Sequence, residues 1–157
     1  KLRSFANYIQ QLEMESLGKP FNAESIFHET GQTIFGGFGS TAQHSYFQLL
    51  HQGTSQCSAD IIYSPTAQSP LSNAQAKGQA SLLSSPQKQS SDLRELTNGN
   101  IPVNLFVVPK LSLRELGFLL ATWEHRVFVT ASLLQINPFD QFGVAAGKTA
   151  AQNFLQK

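Results

Sequence analysis

Short apolar segments that are typical of buried strands alternate along this chain with longer segments of helical periodicity. The strand-like segments lie at residues 33–35, 59–63 and 103–108, and a glycine or proline follows each within two residues. Consecutive strands joined through helices lie parallel, with right-handed crossovers. Apolar runs of this kind are expected where both faces of a sheet are covered. The pattern therefore predicts an α/β fold, a three-layer sandwich with a mostly parallel sheet flanked by helices.

Helical periodicity predicts five helices around these strands. Two capping boxes, Ser72 with Gln75 and Ser112 with Glu115, each predict the start of a helix. The polar residues 84–92 are expected to form a surface loop. The five helices cover about residues 2–16, 42–52, 72 onward, 112–136 and 141–155, with Gly18 and Gly53 as stop signals and Asn137-Pro138 as a break.

The charges of the chain are nearly balanced. Its 157 residues suffice for one domain with its own core, since domains usually have about 100–200 residues. Eleven basic and ten acidic residues give a net charge of +1, and no segment concentrates the basic ones. Nucleic acid and anionic membranes are excluded as main partners, because neutralising phosphates takes clustered Lys and Arg. No apolar run approaches the roughly 20 residues of a membrane span.

Cysteine and histidine usage gives no sign of a metal centre. Cys57 is the single cysteine, which excludes an internal disulfide and a Cys-based zinc site. The four histidines lack the H-E-x-x-H spacing, so no metal cofactor is expected. Without a signal peptide, a reducing, cytoplasmic setting is predicted. Since Lys1 is not Met and the helical pattern is already running at Leu2, we interpret the chain as a piece of a longer protein.

A glycine-rich turn supports one alternative function. Gly37-Phe38-Gly39-Ser40-Thr41-Ala42 fits G-x-G-x-x-A between a predicted strand and a predicted helix, and Asp60 lies about 20 residues further on. This is the pattern of a dinucleotide-binding domain. However, Asp60 precedes Ile61-Ile62, whereas a ribose-binding acid belongs at the carboxyl end of its strand. The same glycines equally suit a tight strand-to-helix turn.

Three segments carry side chains suited to catalysis. Gln11 and Glu15 are four residues apart and share one helical face, with Glu15 in the last turn and no evident lysine partner. His44 is predicted in the first turn of a helix after the glycine-rich loop, at the sheet edge where ligands bind. Gln141 and Lys148 are seven residues apart and can face one direction. Each of these residues could equally be an ordinary surface or capping side chain.

Taken together, the segments resemble the carboxyl-terminal portion of the glucose-6-phosphate isomerase (phosphoglucose isomerase) family. The matching blocks occur in family order across nearly the whole chain, and their combination is far more specific than any single short motif. The blocks are residues 5–16 (FANYIQQLEMES), 43–54 (QHSYFQLLHQGT), 99–104 (GNIPVN), 123–129 (WEHRVFV) and 136–144 (INPFDQFGV) with Gly147-Lys148.

The resemblance implies a fold, a reaction and roles for five residues. It implies that residues 1–157 form a SIS-type sugar isomerase domain that interconverts glucose 6-phosphate and fructose 6-phosphate without a metal, by ring opening and proton transfer through a cis-enediol. Glu15 matches the general base, His44 the residue that assists ring opening, and Lys148 the residue on the ring-oxygen side. Gln11 and Gln141 match glutamines that contact the sugar. The resemblance also implies a homodimer in which the partner subunit supplies the histidine.

The resemblance also implies what this chain lacks. The family's phosphate-binding Ser/Thr loop and its enediolate-stabilising arginine belong to sequence expected before Lys1. Since the phosphate supplies remote binding energy that orients the sugar, we expect this chain by itself to be inactive or nearly so. Two other functions remain open, a stand-alone sugar-phosphate-binding regulatory domain and a dinucleotide-binding domain.

Overall fold

The computed structural model describes residues 2–66, 69–85 and 90–155, which group into two compact units. The first unit is Gly37–Gly117. The second combines Leu2–Gly36 with the chain from Phe118 onward. Within the described residues, no helix is long and apolar enough to cross a membrane.

The first unit contains a parallel two-stranded sheet. Strand β1, Ala59–Tyr63, pairs with β2, Val103–Val107, in a register that places Ala59 opposite Val103 and Tyr63 opposite Val107. Helix α4, Pro70–Ser84, connects the strands and contacts both of them, which is the predicted crossover arrangement. Two short helices precede the sheet, α2 at Gly39–Gln43 and α3 at Phe47–Gln52, and a 3₁₀ turn lies at Leu93–Glu95. The predicted parallel sheet flanked by helices is confirmed.

The first predicted strand in chain order, residues 33–35, is wrong. The segment lies outside any strand, and Phe35 is about half exposed. An apolar tripeptide becomes a strand only where a neighbouring strand satisfies its backbone groups, and the described residues provide none there. The expectation that both sheet faces are covered also fails within the described chain, because three of the five β2 residues are exposed.

Two predicted helix starts are shifted. The expected helix at 42–52 is divided into α2 and α3 by a turn at residues 44–46. Helix α4 begins at Pro70 rather than at the Ser72–Gln75 box, because the Ser69 hydroxyl accepts a hydrogen bond from the Ser72 amide at 3.2 Å and proline suits the first helical position. The predicted 84–92 loop overlaps the end of α4, and its residues 86–89 lie outside the described residues.

The second unit is built on two helices with matching buried stripes. Helix α1, Phe5–Leu17, buries residues at four-residue spacing, and so does α5, Leu113–Leu134, from Leu119 onward. Leu17, Val127 and Ala131 form a buried cluster, and the rings of Phe5 and Trp123 meet edge to face with centroids 5.4 Å apart. The stripes are Phe5, Ile9, Glu13 and Leu17 on α1, and Leu119, Trp123, Val127 and Ala131 on α5.

Both ends of α5 agree closely with the sequence pattern. At its start the Ser112 hydroxyl accepts from the Arg114 amide at 3.2 Å and donates to the Glu115 carboxylate, so the second capping box is confirmed. At its end Gln135 takes a positive φ of 56°, and the amide of Ile136 bonds the carbonyl of Ala131 at 3.0 Å. This is the hydrogen bond that closes a Schellman motif. Helix α6, Phe142–Leu155, follows, with no buried residue.

Removal of the most buried side chain of α4 should destabilise the first unit. Leu83 has no exposed surface, so Leu83→Ala leaves a cavity and should lower the free energy of unfolding by about 2–5 kcal/mol in urea titrations. Leu71 lies on the same helix but is 69% exposed, so Leu71→Ala should change it by less than about 0.5 kcal/mol. Equal losses in the two variants would contradict the packing described for α4.

Candidate active site

Two of the predicted site residues meet on helix α1. The side-chain amide of Gln11 donates to Glu15 Oε2 at 3.3 Å, one turn along the helix. Gln11 is exposed and Glu15 is half-buried, so both lie outside the fully buried stripe of α1. The predicted shared face is therefore confirmed. The contact brings together a hydrogen-bond donor and a carboxylate that can accept a proton.

The position of Glu15 is set by how α1 ends. The helix stops at Leu17, and the Gly18 amide bonds the Met14 carbonyl at 3.1 Å. A Cβ on Gly18 would lie 2.5 Å from that carbonyl oxygen, so this close approach requires glycine. The predicted stop at Gly18 is confirmed, and Glu15 stands in the last turn as expected.

A lysine that the sequence analysis did not select lies at this helix end. Lys19 Nζ donates to the main-chain carbonyl of Glu15 at 2.7 Å and also to the main-chain carbonyl of Asp140. Its contact with Glu15 is therefore to the backbone, not to the carboxylate. A lysine directly after a helix-ending glycine is a usable sequence signal, since such residues often cap the last carbonyls.

Gln141 follows a turn that precedes α6. Asn137 Nδ2 donates to Asp140 Oδ2 at 2.9 Å, and the Phe139 amide donates to Asn137 Oδ1 at 3.0 Å. The side chain of Gln141 is exposed and donates to the Phe139 carbonyl at 3.3 Å. An open cleft of about 220 Å³ adjoins this turn and is lined by Lys19, Pro20, Asn22, Gln135, Ile136, Asn137, Asp140 and Phe142.

Lys148 lies on α6 with its side chain exposed. Among the described residues it makes no hydrogen bond or ion pair, so the structure does not join it to Glu15. The glycines of this helix suggested a close neighbour, but a Cβ at Gly143 or Gly147 would meet no described atom within 4 Å.

His44 does not occupy the helix start that the sequence predicts. It is the residue that ends α2, its side chain is exposed, and it belongs to the first unit. Helix α2 begins at Gly39, which is earlier than the sequence predicts. Two residues further on, burial raises the pKa of the Tyr46 hydroxyl, and a hydrogen bond with the Gly37 main chain partly opposes this.

The other histidine of the same block has structural contacts. His51 Nε2 lies 2.7 Å from Gln79 Oε1 on α4, and the His51 carbonyl accepts from the Asn98 amide at 2.7 Å. These bonds tie α3 to α4 and to the segment before β2. His51 therefore holds elements of the first unit together.

Glu13 is a buried acid that the sequence analysis passed over. It occupies the apolar stripe of α1 and is 1% exposed. Its Oε2 accepts from Gln32 Nε2 at 2.8 Å, and its Oε1 lies 3.6 Å from Arg126 Nε on α5. An acid at four-residue spacing within an otherwise apolar stripe is a signal that could have identified it, because a buried charge is nearly always paired.

The described part of the chain holds neither a cluster of metal ligands nor the strand-turn-helix that dinucleotide binding would need. No three His, Cys, Asp or Glu side chains of the described residues are grouped to hold a metal ion. The glycines at 37–39 do not follow a strand. Asp60 is the second residue of β1 and accepts from Asn104 Nδ2 across the sheet at 2.7 Å. The dinucleotide pattern therefore lacks its strand-turn-helix context.

Comparison with known proteins agrees with these motifs. The family model described as phosphoglucose isomerase matches residues 1–157. The chain belongs to the phosphoglucose isomerase family. It is 36% identical to the glucose-6-phosphate isomerase of Shewanella sediminis, with 99% of this chain and 33% of that protein aligned, and 39% identical to that of Legionella pneumophila, with 96% and 30% aligned.

Two solved structures share the fold of this chain. A crystal structure of a glucose-6-phosphate isomerase from Chlamydia trachomatis matches 99% of this chain with a TM-score of 0.85 and 31% identity, over 32% of its own chain. A hypothetical protein from Thermus thermophilus shares the fold at a TM-score of 0.80 and 21% identity. The chain thus spans about one third of the curated relatives that it matches.

The helix that carries Glu15 has a titratable contact with α5. Tyr8 Oη donates to Glu124 Oε1 at 2.9 Å. The pKa of Tyr8 is raised above its ordinary value of 10.0, mainly because the hydroxyl is partly buried and also because it lies beside the Glu124 carboxylate. Glu124→Gln should lower that pKa, since it removes the negative charge that disfavours tyrosinate. The pKa of Tyr8 is measured by following tyrosinate absorbance near 295 nm as the pH is raised. The variant Tyr8→Phe identifies which part of that absorbance change belongs to Tyr8.

The sign of the accompanying stability change follows from the raised pKa. The contribution of Tyr8 to the free energy of unfolding is fully present below the pKa of Tyr8 in the unfolded chain. It is lost as the pH rises through the higher pKa of Tyr8 in the folded protein. Glu29→Gln, at an exposed acid of the same unit, is the matched control and should leave the Tyr8 titration unchanged. An unaltered Tyr8 midpoint in Glu124→Gln would contradict the contact.

Proposed function

We propose that this chain is the carboxyl-terminal catalytic part of a glucose-6-phosphate isomerase. The enzyme would interconvert glucose 6-phosphate and fructose 6-phosphate, a step of glycolysis and gluconeogenesis, in the cytoplasm. Family membership supports the reaction class. The observation that carries the assignment within this chain is the pairing of Gln11 with the half-buried carboxylate of Glu15 at the end of α1. No cofactor takes part in this proposal.

Glu15 acts as the general base of the proposed reaction. Its carboxylate removes the proton from C2 of the opened aldose, the electrons of that C–H bond form the C1=C2 bond of the enediol, and the C1 carbonyl oxygen becomes its O1 hydroxyl. The carboxylic acid then returns the proton to C1, and the O2 hydroxyl gives up its proton in exchange for the one taken up at O1, which leaves the C2 carbonyl of the ketose. Gln11 restrains the carboxylate through its amide and contacts the sugar. A positioned carboxylate suits this work because general-base catalysis requires hydrogen-bond reach to the transferred proton.

His44 and Lys148 serve ring opening, and Gln141 contacts the sugar. His44 moves a proton at the ring, while the ammonium of Lys148 acts on the ring-oxygen side. Both side chains are exposed, as groups that complete a site with further protein segments must be. In the proposed homodimer, His44 enters the site of the partner subunit. Residues 1–157 supply one SIS-type domain of that assembly.

Neutralising the proposed base should abolish most turnover. The assay uses the full-length protein, meaning this chain together with the remainder of an isomerase like its relatives. Glu15→Gln keeps the size of the side chain but cannot accept the C2 proton, so kcat should fall by about 10²–10⁴-fold in fructose 6-phosphate formation.

Glu24→Gln is the matched control. Glu24 is an exposed glutamate of the same unit, so its neutralisation should leave kcat unchanged. Near-normal turnover of Glu15→Gln would overturn the assignment of Glu15. Calorimetric binding of NAD but not of sugar phosphate would instead support the dinucleotide alternative.

Replacement of the proposed ring-opening residue should affect cyclic substrate selectively. His44→Ala removes the group that transfers a proton at the ring, whereas an already opened sugar phosphate bypasses that step. The loss in kcat/KM should therefore be much larger for glucose 6-phosphate than for the pre-opened substrate in parallel steady-state assays. Equal losses on both would count against the role of His44.

A further inference from the structure

Lys19 has an unusual environment for a lysine that follows a helix. Its side chain is only 10% exposed. Nζ donates to the carbonyl of Glu15 at 2.7 Å and to the carbonyl of Asp140, and Asp140 Oδ1 lies 3.8 Å away. One part-buried ammonium thus joins two backbone segments that are more than 120 residues apart in the sequence.

The hydrogen bonds of Lys19 offset the free-energy cost of partly burying its ammonium. An ammonium is costly to bury unless its N–H groups are hydrogen-bonded, and here two carbonyl oxygens and a carboxylate surround it. The Glu15 carbonyl also lies at the helix end that carries the partial negative charge, which favours a cation. The Thr30 hydroxyl in turn donates to the Lys19 carbonyl and restrains the backbone of Lys19.

The two main-chain carbonyls that Lys19 joins belong to a residue of the proposed site and to the residue directly before another. One is the main chain of Glu15 itself, the proposed base. The other is the main chain of Asp140, directly before Gln141, which matches a sugar-contacting glutamine. Neither bond involves the reactive carboxylate of Glu15, so Lys19 leaves that group free for chemistry while it restrains the backbone that carries it.

We propose that Lys19 is a positioning residue that holds the base Glu15 at a fixed distance from the turn carrying Gln141. This inference rests on the proposed function, because it assigns Lys19 a role in the same proton transfer. Lys19 acts through main-chain carbonyls and touches no reacting atom. Proton transfer depends steeply on placement, and a displacement of about 1 Å can cost roughly 100-fold in rate.

Lys19→Met in the full-length protein tests the proposal. Methionine keeps the apolar stem but cannot bond the carbonyls, so kcat should fall by about 10- to 100-fold while KM changes by less than about twofold. The deuterium isotope effect with glucose 6-phosphate labelled at C2 should rise above that of the unaltered protein, because the proton-transfer step itself is slowed.

The isotope effect separates positioning from a merely structural role. A variant that only loses folded protein loses kcat with an unchanged isotope effect, and that result would overturn the proposal. Lys110→Met is the matched control, since Lys110 is exposed and makes no polar side-chain contact among the described residues; it should change neither quantity.

A second variant carries the test if Lys19→Met does not fold. Lys19→Arg keeps the charge, but its planar head cannot reach both carbonyls in the same geometry, so a smaller fall in kcat with a raised isotope effect is expected. Unaltered kcat and isotope effect in this variant would overturn the proposal. Inactive Glu15→Gln with unaffected Lys19 variants would reject the positioning role alone, whereas fully active Glu15→Gln would reject the proposed function.

Discussion

The packing of α1 against α5 is the constraint on which the second unit depends. Both helices bury side chains at four-residue spacing, and Leu17, Val127 and Ala131 close one end of the contact while the rings of Phe5 and Trp123 close the other. Rows of side chains four residues apart form the ridges that interlock when helices pack. Once this stripe is buried, the rotation of α1 is set, and Gln11 and Glu15 lie outside the buried stripe.

Polar contacts add to the apolar packing that holds α1 in place. The buried carboxylate of Glu13 is matched by Gln32 and Arg126, since an acid in that position would otherwise be strongly destabilising. At the end of α1, Gly18 permits the close turn, and Lys19 donates hydrogen bonds to two main-chain carbonyls. The rotation of α1 and the way the helix ends therefore both help to set the position of the Glu15 carboxylate.

Features that depend on local sequence were predictable. The apolar runs that became β1 and β2, the Ser112 cap of α5 and the stop of α1 at Gly18 each follow from a few neighbouring residues. The predicted strand at 33–35 was wrong because its stability would depend on a distant partner. The cap of α4 was displaced from Ser72 to Ser69 because the adjacent Pro70 favours that start, a competition between two plausible serines.

The sequence by itself determined the family, the alternation of helices and strands, and the shared face of Gln11 and Glu15, because these depend on residue identity and on the 3.6-residue helical period. Only the tertiary structure decided that Lys19 meets the main chains of Glu15 and Asp140, that Glu13 faces Arg126, and that His44 ends a helix rather than beginning one. These features join residues distant in the chain or depend on small differences between competing helix starts. Such contacts are specified by packing and by the need to satisfy buried charges, not by any local pattern.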